Sequence, residues 1–121
     1  MGVVIGAALL VLGGWAVHAV GRAAATGRLA PNWAAGLRTR TIMTDEETWR
    51  AGHQAGLDQL RTAAWGVTLL GAVAVYAALA VRAESAFVLL LAGAAALLTG
   101  VIQAAVKGQR AACEVLAARR Q

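Results

Sequence analysis

Three stretches of this chain, residues 2–21, 62–81 and 85–106, contain no Asp, Glu, Lys or Arg, and run for 20, 20 and 22 residues. A helix needs about 20 mainly apolar residues to cross a hydrocarbon layer of about 30 Å, so each run is long enough to span. Within lipid every backbone N–H and C=O must find its partner inside the segment, which makes helix the expected form. A soluble three-helix bundle would need a wet face on each helix, and these runs offer none. Composition agrees. Apolar residues make up 60 % of the chain and charged residues 14 %, against about 45–50 % and about 25 % in soluble domains. The expectation is an all-α membrane protein: one membrane domain over residues 1–121, spans at about 2–21, 62–81 and 85–106, a polar loop-plus-helix insert at 22–61, and a tail at 107–121.

The first run does not read as a cleaved leader. Small residues at 23–25 would suit cleavage, but no Lys or Arg precedes the apolar run, and 20 uncharged residues is long for such a segment. Cys113 is the only cysteine, which rules out an intrachain disulfide and a Cys-based zinc site. His18 and His53 are distant in sequence and no carboxylates are spaced to join them at a metal. The expectation is no cofactor and no metal. The net charge of +5 belongs to residues flanking the spans, so it does not point to nucleic acid.

Basic residues near span ends set orientation. Arg22, Arg28, Arg38, Arg40, Arg50 and Arg61 lie in the insert, and Lys107, Arg110, Arg119 and Arg120 lie in the tail, leaving only Arg82 in the second connection. With three spans, insert and tail share a side. Both are expected to be cytoplasmic, with the N-terminus outside, in a multi-pass protein of the bacterial inner (plasma) membrane. The second connection is so short that the helices it joins must be antiparallel neighbours. The tail is expected to prolong the third helix into the cytoplasm as a basic stop-transfer segment near anionic lipid, the alternative being that its Ala, Cys, Val and Leu residues lie along the membrane surface. Many small residues line the spans, and Gly2-x-x-x-Gly6 fits a helix-pairing pattern. Trp15 and Trp65 suit the membrane interfaces.

The insert has two parts. Residues 22–43 hold the only proline, Pro31, and read as irregular. A helix start follows, with Thr44 or Asp45 as cap, Thr44-x-x-Glu47 as a capping box, and Asp45, Glu46 and Glu47 at the positive end of the helix dipole. From there the pattern is helical into the second span. Trp49, His53, Gly56, Leu57 and Leu60 share one face, with Gly56 leaving room for a backbone or a ligand. Arg38 is expected to fold back on Glu46 or Glu47, or to meet a lipid phosphate. His18 is expected near His53 or the loop. Gln103 is an amide near the end of the third span, expected to bond to another helix or a lipid group.

Asn32, Gly36, Leu37, Arg38 and Thr39, then Trp49 eleven residues after the Arg, His53 four after the Trp, and Gly56, form a spaced set. The set resembles the SdpI family of bacterial membrane proteins. Two departures stand out: Ile42 occupies a place where the family often has Thr, with Thr41 just before it, and Asp45 replaces a capping Ser. The founding member of that family is a longer immunity factor that protects its cell from a secreted, membrane-damaging peptide and also captures a transcriptional repressor. The resemblance implies a small immunity-like protein that binds a peptide or lipid at the bilayer; repressor capture is not carried over. The second reading is an accessory subunit packed against a larger membrane complex. Binding or motif residues would be Asn32, Gly36, Arg38, Thr39, Trp49, His53 and Gly56, with Asn32, Arg38 and Thr39 either holding an anionic group or tying the loop to the helix after it. Trp49 is expected to be a packing anchor, and His53 either a satisfied structural donor or a proton-sensitive contact. No nucleophile arrangement, metal spacing or phosphate loop suggests an enzyme.

Overall fold

The structure is a computed structural model that describes residues 1–121. It contains three helices and no strand: α1 (Gly2–Ala25), α2 (Glu46–Ala80) and α3 (Ala83–Arg119). All three are long and apolar enough to cross a membrane. The charge-free runs therefore mark the helices correctly but understate their length. α2 and α3 have 35 and 37 residues, about 52 and 56 Å at 1.5 Å per residue. Each exceeds a hydrocarbon layer of about 30 Å by more than 20 Å. The surplus of both lies at one end, where it packs together with the loop 26–45.

Capping explains where α2 begins. Asp45 is extended, and its Oδ1 accepts the Thr48 N–H at 3.0 Å while Thr48 Oγ1 accepts the Asp45 N–H at 3.0 Å. The capping box is thus Asp45 with Thr48, not Thr44 with Glu47. Thr44 is drawn away because its hydroxyl turns back to the Arg40 carbonyl, and Glu47 is left free to pair elsewhere. α1 ends at Ala25, and Gly27 just beyond its cap has a φ of +80° that lets the Arg28 and Leu29 N–H groups both return to the Ala23 carbonyl. Only residues 81 and 82 separate α2 from α3, so these two form an antiparallel hairpin with arms of nearly equal length.

The interior of the spans is made of small residues. A Cβ on Gly56 would stand 2.8 Å from the Ala104 carbonyl oxygen, and one on Gly108 would stand 2.7 Å from that of Gly52. The backbones of α2 and α3 meet along this seam, which is how helices gain packing energy in lipid, where water exclusion contributes little. Gly56 therefore makes room for a backbone, not for a ligand. α1 joins the other side of α2, with Gly14 against Ala64 and Val67 and Gly21 against Leu60. Gly2 faces open space and Gly6 faces Leu90, so the two make no common seam within the chain.

Large apolar side chains point the other way. Leu12, Leu69, Tyr76, Leu79, Phe87 and Leu98 are all more than half exposed. Small inside and large outside is the reverse of a soluble bundle, and it fits helices whose outer surface meets lipid. The large buried residues sit at the loop end instead: Trp49, Ile42, His53, Val67 and Thr48 are the largest fully buried side chains, and all but Val67 come from the loop or the first turns of α2. The protein is a thin small-residue bundle carrying a densely packed cap.

The chain beyond the third apolar run continues α3 as a helix, as expected. It runs back beside α2 until Arg119 reaches Asp45 (2.6 Å) and Glu47 (2.5 Å).

Candidate functional site

The cap is built around His53. Its Nε2 accepts the Leu37 backbone N–H at 2.8 Å, and its Nδ1 lies 2.8 Å from the Trp49 carbonyl oxygen. A backbone N–H can only donate, so Nε2 must be the bare nitrogen and Nδ1 must carry the proton it gives to Trp49. This assigns a neutral imidazole in one tautomer, satisfied at both ends. Burial pushes the His53 pKa below its ordinary value, and the Trp49 carbonyl opposes that in part.

Trp49 lies one turn before His53, with ring centroids 4.3 Å apart. It is almost fully buried, and its Nε1 donates to the Leu29 carbonyl at 2.8 Å. Gly36 closes over both rings. Its φ is +100°, and a Cβ there would meet Trp49 Cη2 at 2.7 Å and His53 Nε2 at 2.8 Å. Glycine is thus required twice, for backbone conformation and for space. The residue after His53 on α2, Gln54, donates from Nε2 to the Ala25 carbonyl at 3.0 Å, joining the cap to the end of α1.

Asn32 shapes the first bend of the loop. Its Oδ1 accepts from the Ala34 and Ala35 N–H groups, both at 2.9 Å, and its Nδ2 donates to the Ala30 carbonyl. Arg38 is exposed and donates to the Trp33 carbonyl. It does not fold back on Glu46 or Glu47. The acids at the head of α2 are met by Arg119, whose guanidinium, with the cap bond from Thr48, holds the Asp45 carboxyl well below the usual carboxylate range.

Thr39 reaches α3. Its hydroxyl donates to Gln109 Oε1, and Gln109 Nε2 donates to Thr41 Oγ1 at 2.7 Å. Gln109 thereby clasps the loop at two threonines. This accounts for the departure at Ile42: the neighbouring Thr41 supplies a hydroxyl to the clasp, while Ile42 is fully buried against Gly52 and Gly108. His18 takes no part. It packs edge-on against Trp15 at 5.6 Å and lines a shallow depression with Arg22 and Arg28. Trp15 also packs edge-on against Trp65 and donates to Thr68 Oγ1 at 2.9 Å.

Of the spaced set, the structure brings Gly36, Leu37, Trp49 and His53 into one cluster, with Thr39 at its α3 side and Asn32 in the loop bend that leads to it. Arg38 faces outward and Gly56 lies below, in the helix seam. Gln109, Gln54, Thr48 and Arg119 complete the cap and were not singled out from sequence.

The observation that decides the family is the match of this same stretch to a known sequence pattern. The SdpI/YfhL protein family matches residues 28–105, well over half the chain. The protein belongs to the SdpI/YfhL family. The matched stretch of this SdpI-family protein runs from the loop through most of α3, so Gln109 and Arg119 fall outside it. No curated protein and no solved structure matches the chain.

Beside the cluster a cavity of about 330 Å³ opens between α1 and α3. Residues 34–37 roof it, Val17, Val20, Leu60 and Val101 form its walls, and His53 is the one titratable group along it. The groove is otherwise apolar. No group of three or more His, Cys, Asp or Glu residues stands close enough to hold a metal ion.

Proposed function

We propose that this SdpI-family protein is an immunity-type binding protein of the bacterial inner membrane, acting by recognition and not by catalysis. The observation that carries this reading is the apolar groove beneath the motif loop. Its volume is at the lower end of the range for ligand pockets, enough for a few large side chains of a peptide that has partitioned into the bilayer. Such a peptide reaches the groove sideways, from lipid. Both His53 nitrogens are already used within the cap, so the groove offers shape and apolar contact in place of acid–base chemistry. On this reading the motif holds the roof of the groove, and Asn32, Arg38 and Thr39 tie the loop together.

Ten of the eleven basic residues lie at the loop end, which by the charge rule is cytoplasmic. A secreted peptide would then be met after it has entered the membrane.

The test is survival of cells challenged with a secreted, membrane-depolarising bacterial peptide. Ala35→Trp, which fills the groove, is expected to abolish protection at unchanged protein level, and Leu9→Trp on the lipid-facing side of α1 is expected to keep it. Equal protection by both would overturn the groove reading. A constant, near-equimolar membrane partner in detergent purifications would favour an accessory subunit instead.

A further inference from the structure

The loop end of α1 carries an open depression of about 570 Å³, within the size range of ligand pockets. It is lined by Trp15, His18, Ala19, Arg22, Ala23 and Arg28, and shares no residue with the groove beneath the loop. Residues 15, 18, 19, 22 and 23 recur at helical spacing and so make one face of α1. Arg28 joins that face because the chain turns back at Gly27: the Arg28 N–H returns to the Ala23 carbonyl at 2.9 Å.

The depression is positive, and the chain supplies nothing to balance it. Residues 1–44 contain no Asp or Glu. The ion pairs of the chain join Arg61 to Asp58 and Arg119 to Asp45 and Glu47, so neither Arg22 nor Arg28 takes part in one. Arg28 Nε donates to Thr26 Oγ1 at 3.3 Å, and the Thr26 hydroxyl in turn donates to the Arg22 carbonyl at 2.9 Å. This fixes the stem of Arg28 and leaves the terminal nitrogens of both exposed guanidinium groups without a partner in the chain. The His18 ring packs on Trp15 and makes no hydrogen bond within the chain, so it offers one N–H in either tautomer.

Depth separates two kinds of chemistry in this depression. Arg22 is the first charged residue after the apolar run of α1, so it marks the level at which hydrocarbon gives way to headgroups. Trp15, seven residues earlier, lies about 10 Å deeper at 1.5 Å per residue. It packs edge-on against Trp65, which is 61 % exposed. Cations at the headgroup level above an aromatic wall match a phospholipid in order of depth, whereas a soluble anion matches the upper half alone. Guanidinium groups bind phosphate oxygens through paired, charge-assisted N–H bonds, and basic pockets on the cytoplasmic side of spans take anionic headgroups. Two unbalanced cations favour a lipid of net negative charge over a zwitterionic one, whose amine would be brought up against them.

We propose that this face of α1 binds one anionic phospholipid, with Arg22 and Arg28 on its phosphate, the His18 N–H beside them, and an acyl chain running along Ala19 to the Trp15–Trp65 pair. The site is separate from the groove beneath the loop, and its test does not depend on any toxin.

The experiment releases the full-length protein from nanodiscs holding equal amounts of phosphatidylglycerol and phosphatidylcholine, and counts retained lipid by native mass spectrometry. The wild type is expected to keep one phosphatidylglycerol in preference to phosphatidylcholine. Arg22→Gln combined with Arg28→Gln should lower that retention severalfold, with helical circular dichroism unchanged. Lys107→Gln combined with Arg110→Gln removes the same charge from the loop end of α3 and should leave retention as it was. A second readout needs no variant: in detergent, short-chain phosphatidylglycerol should raise the wild-type melting temperature, and inorganic phosphate at the same concentration should not. Equal retention of the two lipids, full retention in the α1 variant, an equal loss in the α3 variant, or an equal rise with inorganic phosphate would each overturn the proposal.

Discussion

The His53 ring and the Leu37 backbone are joined by one 2.8 Å hydrogen bond in which the imidazole is the acceptor. A protonated ring has no acceptor, so the bond exists only while His53 is neutral. Both residues border the groove, and the state of one proton therefore bears on the position of its roof.

Stability should fall on acidification. The His53 pKa is lowered in the folded chain, so below its ordinary value of about 6.5 the unfolded chain binds more protons and folding weakens. The stabilisation is fully present above that value and is lost as pH falls from it towards the folded pKa. Thermal unfolding in detergent between about pH 7.5 and about pH 5.5 (about one unit either side of that value) should show this decline, and His53→Gln should flatten it. Truncation to alanine at neutral pH should cost about 2–4 kcal/mol, from lost hydrogen bonds and a cavity.

The two positive-φ glycines should differ in tolerance. Gly36→Ala drives a Cβ into two buried rings, whereas Gly27→Ala meets only the flexible end of Arg50. Both carry the backbone penalty of roughly 1–2 kcal/mol. Gly36→Ala should add about 1–3 kcal/mol for overpacking, visible as the lower melting temperature of the pair.

Gln109→Leu should free the loop without unfolding the spans. It removes the clasp on Thr39 and Thr41. Trypsin cleaving after Arg38 and Arg40 needs the loop locally open. Inverted vesicles of the variant should be cut at least several times faster than those of the wild type, with α-helical circular dichroism unchanged.

A cysteine at Ala34, in the Cys113→Ser background, should resist an impermeant thiol reagent on whole cells and react in inverted vesicles. Ala34 is exposed in the cap, so silence in both preparations is not expected. Labelling on intact cells would reverse the orientation drawn from the basic residues.

Much of the fold was legible because lipid imposes simple rules. Charge-free runs of about 20 residues specify spans, and a connection of a few residues specifies a hairpin. The face carrying Trp49, His53, Gly56 and Leu60 was legible from helical spacing alone, and all four are buried. Partners across elements were not. Gln109 and Arg119 meet the loop and the head of α2 only because α3 runs on as one helix beside α2. That register was readable in principle: Asp45 lies 36 residues before Val81 and Arg119 lies 37 after Arg82, so equal arms bring them level. Spacing could not show that Arg38 would turn to the Trp33 carbonyl, or that His18 would pack on Trp15, since both depend on how the loop folds in three dimensions.

The equal arms of the hairpin also impose an order of events during synthesis. The signature residues from Asn32 to Gly56 are among the earlier parts of the chain to be made. Gln109 and Arg119 come from the far end of the returning arm, so the loop waits unclasped while some sixty further residues are translated and inserted. Until that arm returns, the acids at the head of α2 have no cation across from them and Thr39 and Thr41 have no amide between them. Completion of the cap is therefore a molecular report that both arms have been inserted to full length and in register.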